Sequence, residues 1–284
     1  MPCTMLTNTP PPVKANAKVN LALRITRRRS DGYHNLSTLF QEIDLHDNLW
    51  FKPASTLRLT TTMPELATDE SNLCTRAYNT FKKLISSPPA YAIHLEKNIP
   101  LGAGLGGGSA DAAAVLKFLN TAWQINLGIQ ALQKIAAEVG SDVPFYINGG
   151  TQGATGRGEI LTPLRPPDNF VLLLVIPPLA ISTAWAYQQF NPADCKPPYD
   201  FDDFTRGKRI HWELCENQFE SIVFQHYPEL KAIKIGLQQN GARYAALTGS
   251  GSALFGVFDT AKEAQSASQN FSAYQTFVAR PVLR

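Results

Sequence analysis

The four cysteines, Cys3, Cys74, Cys195 and Cys215, form no CxxC pair and keep no close cysteine–histidine spacing. That leaves neither a disulfide framework nor a structural zinc site supported, and a reducing cytoplasm fits. Long apolar runs are equally scarce. The longest, Val171 to Ile176 with its flanks, is far too short to span a bilayer, and no basic segment followed by an apolar run opens the chain. The expectation is a soluble, untargeted cytoplasmic protein with no membrane partner. An excess of one charge is also missing: 26 basic and 23 acidic residues are scattered rather than blocked and leave a net +3. So small an excess does not argue for a nucleic-acid partner, although it suits an anionic small substrate. No repeat of fixed period appears, and 284 residues suffice for one large or two moderate domains.

What the chain does have is glycine in one place. Lys97-Asn98-Ile99-Pro100-Leu101-Gly102-Ala103-Gly104-Leu105-Gly106-Gly107-Gly108-Ser109-Ala110-Asp111 puts five glycines into seven positions. The backbone entropy this costs is expected where a chain turns tightly or brings bare amides to a ligand. Tyr91, Ile93 and Leu95 alternate before it as in a strand. Ala112, Val115, Leu116, Leu119 and Trp123 follow it at helical spacing, with Ser109 and Asp111 placed to cap the opening amides. Strand, glycine loop and helix N-terminus together make an anion site, with phosphate as the expected guest. The loop is not a P-loop, because Gly108-Ser109 stands where Lys-Ser/Thr would follow, and no acidic residue sits about 20 positions on as a dinucleotide fold requires.

Elsewhere, Val19, Leu21, Leu23 and Ile25 alternate with Lys18, Asn20, Ala22 and Arg24, so a strand puts Lys18 and Asn20 side by side on one face. Arg27-Arg28-Arg29-Ser30-Asp31-Gly32 reads as a basic turn before Tyr33-His34. Strands are expected over 36–45 and 49–61 with a turn at Asp47-Asn48, and a helix from Leu73 with Ser71 or Asn72 as cap. A helix ends at Gly140 and is followed by Ser141-Asp142-Val143-Pro144, which leaves Asp142 in irregular backbone that a fold can aim. The glycine-rich stretch from Gly149 to Gly158 suggests a domain boundary, dividing the chain into 1–158 and 159–284. A buried strand over 170–176, a helix capped by Ser182 or Thr183, a polar excursion over 191–209, helices over 211–226 and 228–239, and a strand–turn–strand over 245–258 complete an α+β pattern. A cradle for phosphates, a cation and a base or aligner for a hydroxyl are the parts phosphoryl transfer needs, and the glycine loop, Lys18 and Asp142 are candidates for them.

Those segments together carry a resemblance. The run from Pro100 through Gly102, Gly104, Leu105, Gly106 and Ser109 matches, in all but one spacing position, the glycine motif of the small-molecule kinases grouped as galactokinase, homoserine kinase, mevalonate kinase and phosphomevalonate kinase (GHMP). Ala17-Lys18-Val19-Asn20-Leu21, Asp31-Gly32-Tyr33-His34, Gly140-Ser141-Asp142-Val143-Pro144-Phe145 and Thr248-Gly249-Ser250-Gly251-Ser252 support it in the expected order. They point to the branch whose acceptor is a cytidyl diphosphate of methylerythritol. The resemblance implies two domains, an N-terminal one like the second domain of ribosomal protein S5 and a ferredoxin-like C-terminal one. It also implies ATP with Mg2+, a small-molecule substrate in the cleft, and a monomer or weak homodimer. By it Lys18 and Asp142 are the catalytic pair, and Pro100, Leu101, Gly102, Ala103, Gly104, Leu105, Gly106, Gly107, Gly108, Ser109 and Ala110 bind the nucleotide. Asn20 and Thr183 line the methylerythritol end, and Tyr33 and His34 sit at the cytosine. No protein residue is assigned as a metal ligand, and Asp111 is left open between a helix cap and a place near magnesium. A homoserine- or mevalonate-type kinase is the alternative within the family, and a nucleic-acid-binding protein on an S5-like domain the alternative outside it.

Overall fold

The computed structural model describes residues 10–165, 169–205 and 210–284. Cys3 and most of the polar lead-in lie outside the described residues, as does the end of the excursion read over 191–209. The first half builds a six-stranded sheet from β1 (Val13–Arg28), β2 (His34–Ala54), β3 (Arg58–Thr61), β4 (Ala90–Glu96), β5 (Thr151–Thr155) and β6 (Ile160–Leu164). The order is β3-β4-β2-β5-β6 with β1 on β2, and only the β3–β4 pair is parallel. Four helices go with it: α1 (Leu73–Lys82), α2 (Gly107–Ala122), α3 (Ile129–Val139) and α4 (Val143–Asn148). Their apolar faces meet Leu49, Ile93 and Leu95 of the sheet in one core that includes Phe81, Leu116, Leu119 and Phe145.

The second half has β7 (Val171–Ile176), α5 (Thr183–Gln189), α6 (Phe201–Thr205), α7 (Glu220–His226), α8 (Pro228–Gln239), β8 (Tyr244–Leu247), β9 (Leu254–Phe258), α9 (Ala261–Ser268) and β10 (Gln275–Ala279). Its sheet runs β10-β7-β9-β8, all antiparallel. Strand, helices, strand, strand, helix, strand along the chain, with that sheet order, is the ferredoxin-like arrangement. The continuous apolar run of β7 follows from its place: Leu172 and Leu174 face the core shared with β1, while Val171, Leu173 and Val175 face the core under α7, α8 and α9. β1 is buried on both faces, since Val19 and Leu21 pack with Leu172, Phe255 and Val257. It therefore stands at the junction of the two halves.

Several local expectations are corrected. Asp47-Asn48 is no turn: β2 runs through it, and the fully buried Asp47 accepts hydrogen bonds from the backbone N–H groups of Asn98 and Ile99 at 2.5 and 2.8 Å. An acceptor anchored to another segment replaced the turn that the residue types suggested. The stretch from Gly149 to Gly158 contains β5, which lies inside the sheet, and β6 continues that sheet to Leu164, so a division at 158/159 falls within a hairpin. The span 211–226 is a single 3-10 turn over Trp212–Leu214 and then α7, and Asn72 rather than Ser71 caps α1.

Candidate active site

The two halves and the glycine loop enclose a cavity of about 810 Å³. Lys18 enters it from β1. Its side chain is only 4% exposed, and its ammonium donates to Asn20 Oδ1 at 2.6 Å and to the Gly104 carbonyl at 2.8 Å. Three β-bulge shifts between β1 and β2 leave the pairing of Lys18 and Asn20 on one face intact. Asn20 is held in turn: its amide donates to Thr38 Oγ1 at 2.8 Å, and its backbone N–H donates to Thr248 Oγ1 at 3.0 Å. Burial lowers the Lys18 pKa, and the charge of Asp142 works against that shift.

Asp142 is the N-cap residue of α4 at φ −89°, ψ −12°, with Pro144 in the first turn. As the sequence suggests, it stands in turn backbone, just past α3 and immediately ahead of the short helix α4. Its side chain makes no capping bond, so the carboxylate is left to face the cavity wall.

Gly102, Gly104 and Gly106 have φ of 66°, 79° and 70°, a region other residues adopt at a cost. Sterics add to this. A Cβ on Gly104 would lie 2.3 Å from the Thr248 carbonyl, and one on Gly106 would lie 2.1 Å from Tyr146 Oη. The glycines thus serve first to let the loop pack against Thr248–Gly251 and against Tyr146, whose hydroxyl donates to Leu105 O at 3.2 Å. Gly102 to Ser109 all line the cavity. Pro100, Leu101 and Ala110 do not: Leu101 is 45% exposed and Ala110 is buried in the first core. α2 is capped by Gly106 without any side-chain bond, so neither Ser109 nor Asp111 caps it. Asp111 accepts from Lys97 Nζ at 2.8 Å, and Lys97 also pairs with Asp47, all three side chains being at most 2% exposed. Asp111 faces inward beneath the loop, away from the cavity wall.

At the other end His34 is buried and its ring lies parallel to that of Tyr187 at 5.0 Å. Its Nε2 is buried with no hydrogen-bond partner. A polar atom in that state on a cavity wall needs a partner from a ligand or water. Burial, helped by the charge of Arg28, lowers the His34 pKa and keeps the ring neutral. Tyr33 is 55% exposed, with the Arg157 guanidinium 4.8 Å from its ring centroid. Thr183 opens α5 on the opposite wall, its hydroxyl 2.9 Å from that of Ser250.

All four substrate-side candidates, Asn20, Tyr33, His34 and Thr183, therefore meet in one cavity with Lys18, Asp142 and the loop. Sequence reasoning missed Tyr187, Phe190, Arg157 and Phe40 on its walls. Only the apolar spacing of Tyr187 and Phe190 on α5 hinted at them, and that spacing reads as ordinary core.

Among the described residues no three histidine, cysteine, aspartate or glutamate side chains cluster as a metal cage, and no helix is long and apolar enough to cross a membrane.

The model for the GHMP kinases N terminal domain matches residues 72–150, and that for GHMP kinases C terminal matches 200–275. The chain is 40% identical over 267 residues to the 4-diphosphocytidyl-2-C-methyl-D-erythritol kinase of Prosthecochloris aestuarii, covering 92% of this chain and 93% of the relative. With that of Chloroherpeton thalassium it shares 42% over 257 residues, 87% of this chain and 88% of the relative. A crystal structure of 4-(cytidine 5'-diphospho)-2C-methyl-D-erythritol kinase superposes with a TM-score of 0.82 at 34% identity, covering 94% of this chain and 98% of the other. The phosphomevalonate kinase of Streptococcus pneumoniae shares the fold, with a TM-score of 0.71 at 13% identity over 95% of this chain and 99% of the other. The chain belongs to the GHMP kinase family, in the branch of its 4-diphosphocytidyl-2-C-methyl-D-erythritol kinase relatives.

Proposed function

We propose that this protein transfers the γ-phosphoryl group of ATP to the 2-hydroxyl of 4-diphosphocytidyl-2-C-methyl-D-erythritol. The observation that carries the reading is the single cavity whose wall runs from the glycine loop, past Lys18 and Asp142, to the unpartnered His34 Nε2. The loop amides and the N-terminus of α2 hold the nucleotide phosphates. Asp142 orients the acceptor hydroxyl and takes its proton, and Lys18 offsets charge on the phosphoryl in transit. Asn20 and Thr183 position the methylerythritol end. Tyr33 offers an aromatic face to the cytosine and the neutral His34 a polar atom to its edge.

With one carboxylate facing the cavity, the donor set suits a hard cation that arrives on the nucleotide rather than one caged by protein. Ser109, at the loop end of the cavity, is the oxygen donor that would hold it. Magnesium bound there would supply neutralisation of the phosphate charge.

The experiment is competitive kinetics with a panel of acceptors. The expected result is turnover of the cytidyl diphosphate, with bare methylerythritol phosphate, homoserine and mevalonate not measurably used. Comparable kcat/KM for homoserine or mevalonate would overturn the reading.

A further inference from the structure

The three consecutive arginines Arg27, Arg28 and Arg29 have separate fates. Arg29 is bound by Asp31, at 2.9 Å, and by Asn35. Arg28 lies opposite His34 in the β1–β2 register and lines the cavity. A second arginine, Arg157, arrives from the turn between β5 and β6. That turn is fixed to the same wall, because Leu36 N–H donates to the Gly156 carbonyl at 2.7 Å. Arg157 lines the cavity with its guanidinium over Tyr33, while Glu159 accepts from its backbone N–H at 2.5 Å. Neither the Arg28 nor the Arg157 guanidinium is taken up by a carboxylate among the described residues.

Two guanidinium groups without a carboxylate partner therefore stand beside His34 and Tyr33 on the cavity wall. Two such forks, neither taken up by a carboxylate, match an anion with several oxygens. We propose that Arg28 and Arg157 form a second phosphate-recognition site that holds the diphosphate of the acceptor, making them specificity-determining residues for the base-diphosphate end of the substrate. This rests on the cytidyl diphosphate reading above. Long-range attraction of an anionic acceptor into the cavity follows from the same pair.

The test compares CDP with cytidine as inhibitors competing against the acceptor at saturating ATP, in the parent and in Arg157→Gln, Arg28→Gln, Arg157→Lys and Arg29→Gln. Arg157→Gln and Arg28→Gln are expected to raise the Ki of CDP about 10-fold or more, the loss typical of a charge-assisted hydrogen bond. The Ki of cytidine and the KM of ATP stay within about 2-fold. Arg157→Lys recovers part of the CDP affinity, added salt weakens CDP more in the parent than in Arg157→Gln, and Arg29→Gln matches the parent. Equal losses for CDP and cytidine overturn the proposal, because they place the effect on the Tyr33 ring. Unchanged CDP inhibition in both glutamine variants overturns it too, as does an equal loss in Arg29→Gln, which reduces it to general surface charge. If Arg157→Gln fails to give a parent-like melting curve, Arg28→Gln decides. A parent that does not use the cytidyl diphosphate acceptor refutes the functional reading itself, whereas normal use with unmoved variants refutes only this site.

Discussion

The ammonium group of Lys18 donates to the carbonyl oxygen of Gly104 at 2.8 Å, across 86 residues of chain. One side chain thereby ties the central strand of the domain junction to the apex of the glycine loop, and Thr248 closes the ring by accepting from Asn20 N–H at 3.0 Å. Catalytic charge and loop geometry depend on the same atom, which shapes what its removal does.

Lys18→Met is expected to lower kcat about 100-fold or more, because the charge it offsets develops on the moving phosphoryl group. The ATP KM rises as well, by a smaller factor, as the loop loses its tether. Burial lowers the Lys18 pKa. As pH rises through that lowered value the ammonium loses its proton and kcat falls, at a lower pH than an ordinary lysine gives. Stability moves the other way. The unfolded chain holds this proton more tightly, so the cost of the buried charge is relieved as pH rises from the folded to the unfolded value. Rate and melting temperature measured across the alkaline range check both; parallel declines in the two contradict the assignment.

Asp142→Asn keeps the size and shape of the residue and breaks no capping bond, since the side chain makes none. Its melting temperature and ATP affinity are expected to stay near the parent's while turnover drops about 100-fold or more, the range of a positioned acid–base group. Turnover within about threefold of the parent in the folded variant removes Asp142 from the catalytic pair.

Substitutions in the glycine loop should divide by position. Gly106→Val drives its Cβ into Tyr146 Oη, so lost stability accompanies lost nucleotide binding there. Gly108 has ordinary room, with Leu73 Cδ1 3.7 Å from an added Cβ. Gly108→Val is therefore the cleaner probe: it should fold and still raise the Kd for ATP, because the new side chain stands at the cavity wall. Calorimetry showing parent-like ATP affinity in folded Gly108→Val counts against phosphate binding by the loop backbone.

The buried trio of Asp47, Lys97 and Asp111 holds two carboxylates against one ammonium. Asp47 accepts the backbone N–H bonds of Asn98 and Ile99 as well. Burial, reinforced by the Asp47 charge and opposed by Lys97, pushes Asp111 up to about 8. A carboxyl raised in the folded state binds its proton more tightly there than in the unfolded chain, so its stabilisation is present at low pH and is lost as pH climbs from about 4 toward 8. Asp111→Asn cannot titrate. Its melting temperature relative to the parent should therefore increase over that window, and two curves that run parallel would sink the idea.

The sequence by itself determined the parts that local chemistry controls. The period-2 pairing of Lys18 with Asn20, the strand–glycine loop–helix unit, the helix ending at Gly140 ahead of Asp142, and the strand–turn–strand around Thr248–Ser252 all appear where residue spacing put them. Such features depend on neighbours within a few residues, so they can be read without knowing the fold. Only the tertiary structure decided which of them touch and how far the sheet extends. Asp47 sits inside β2 because Asn98 and Ile99 hold it, Asp111 turns inward because Lys97 lies beneath the loop, and β5 is a sheet strand despite Gly153 because β2 and β6 flank it. Arg28 and Arg157 face one cavity although they stand far apart in the chain. The first three of these outcomes are long-range pairings of buried polar or backbone groups. The partner that satisfies such a group is chosen by folding, and nothing in its own segment announces it.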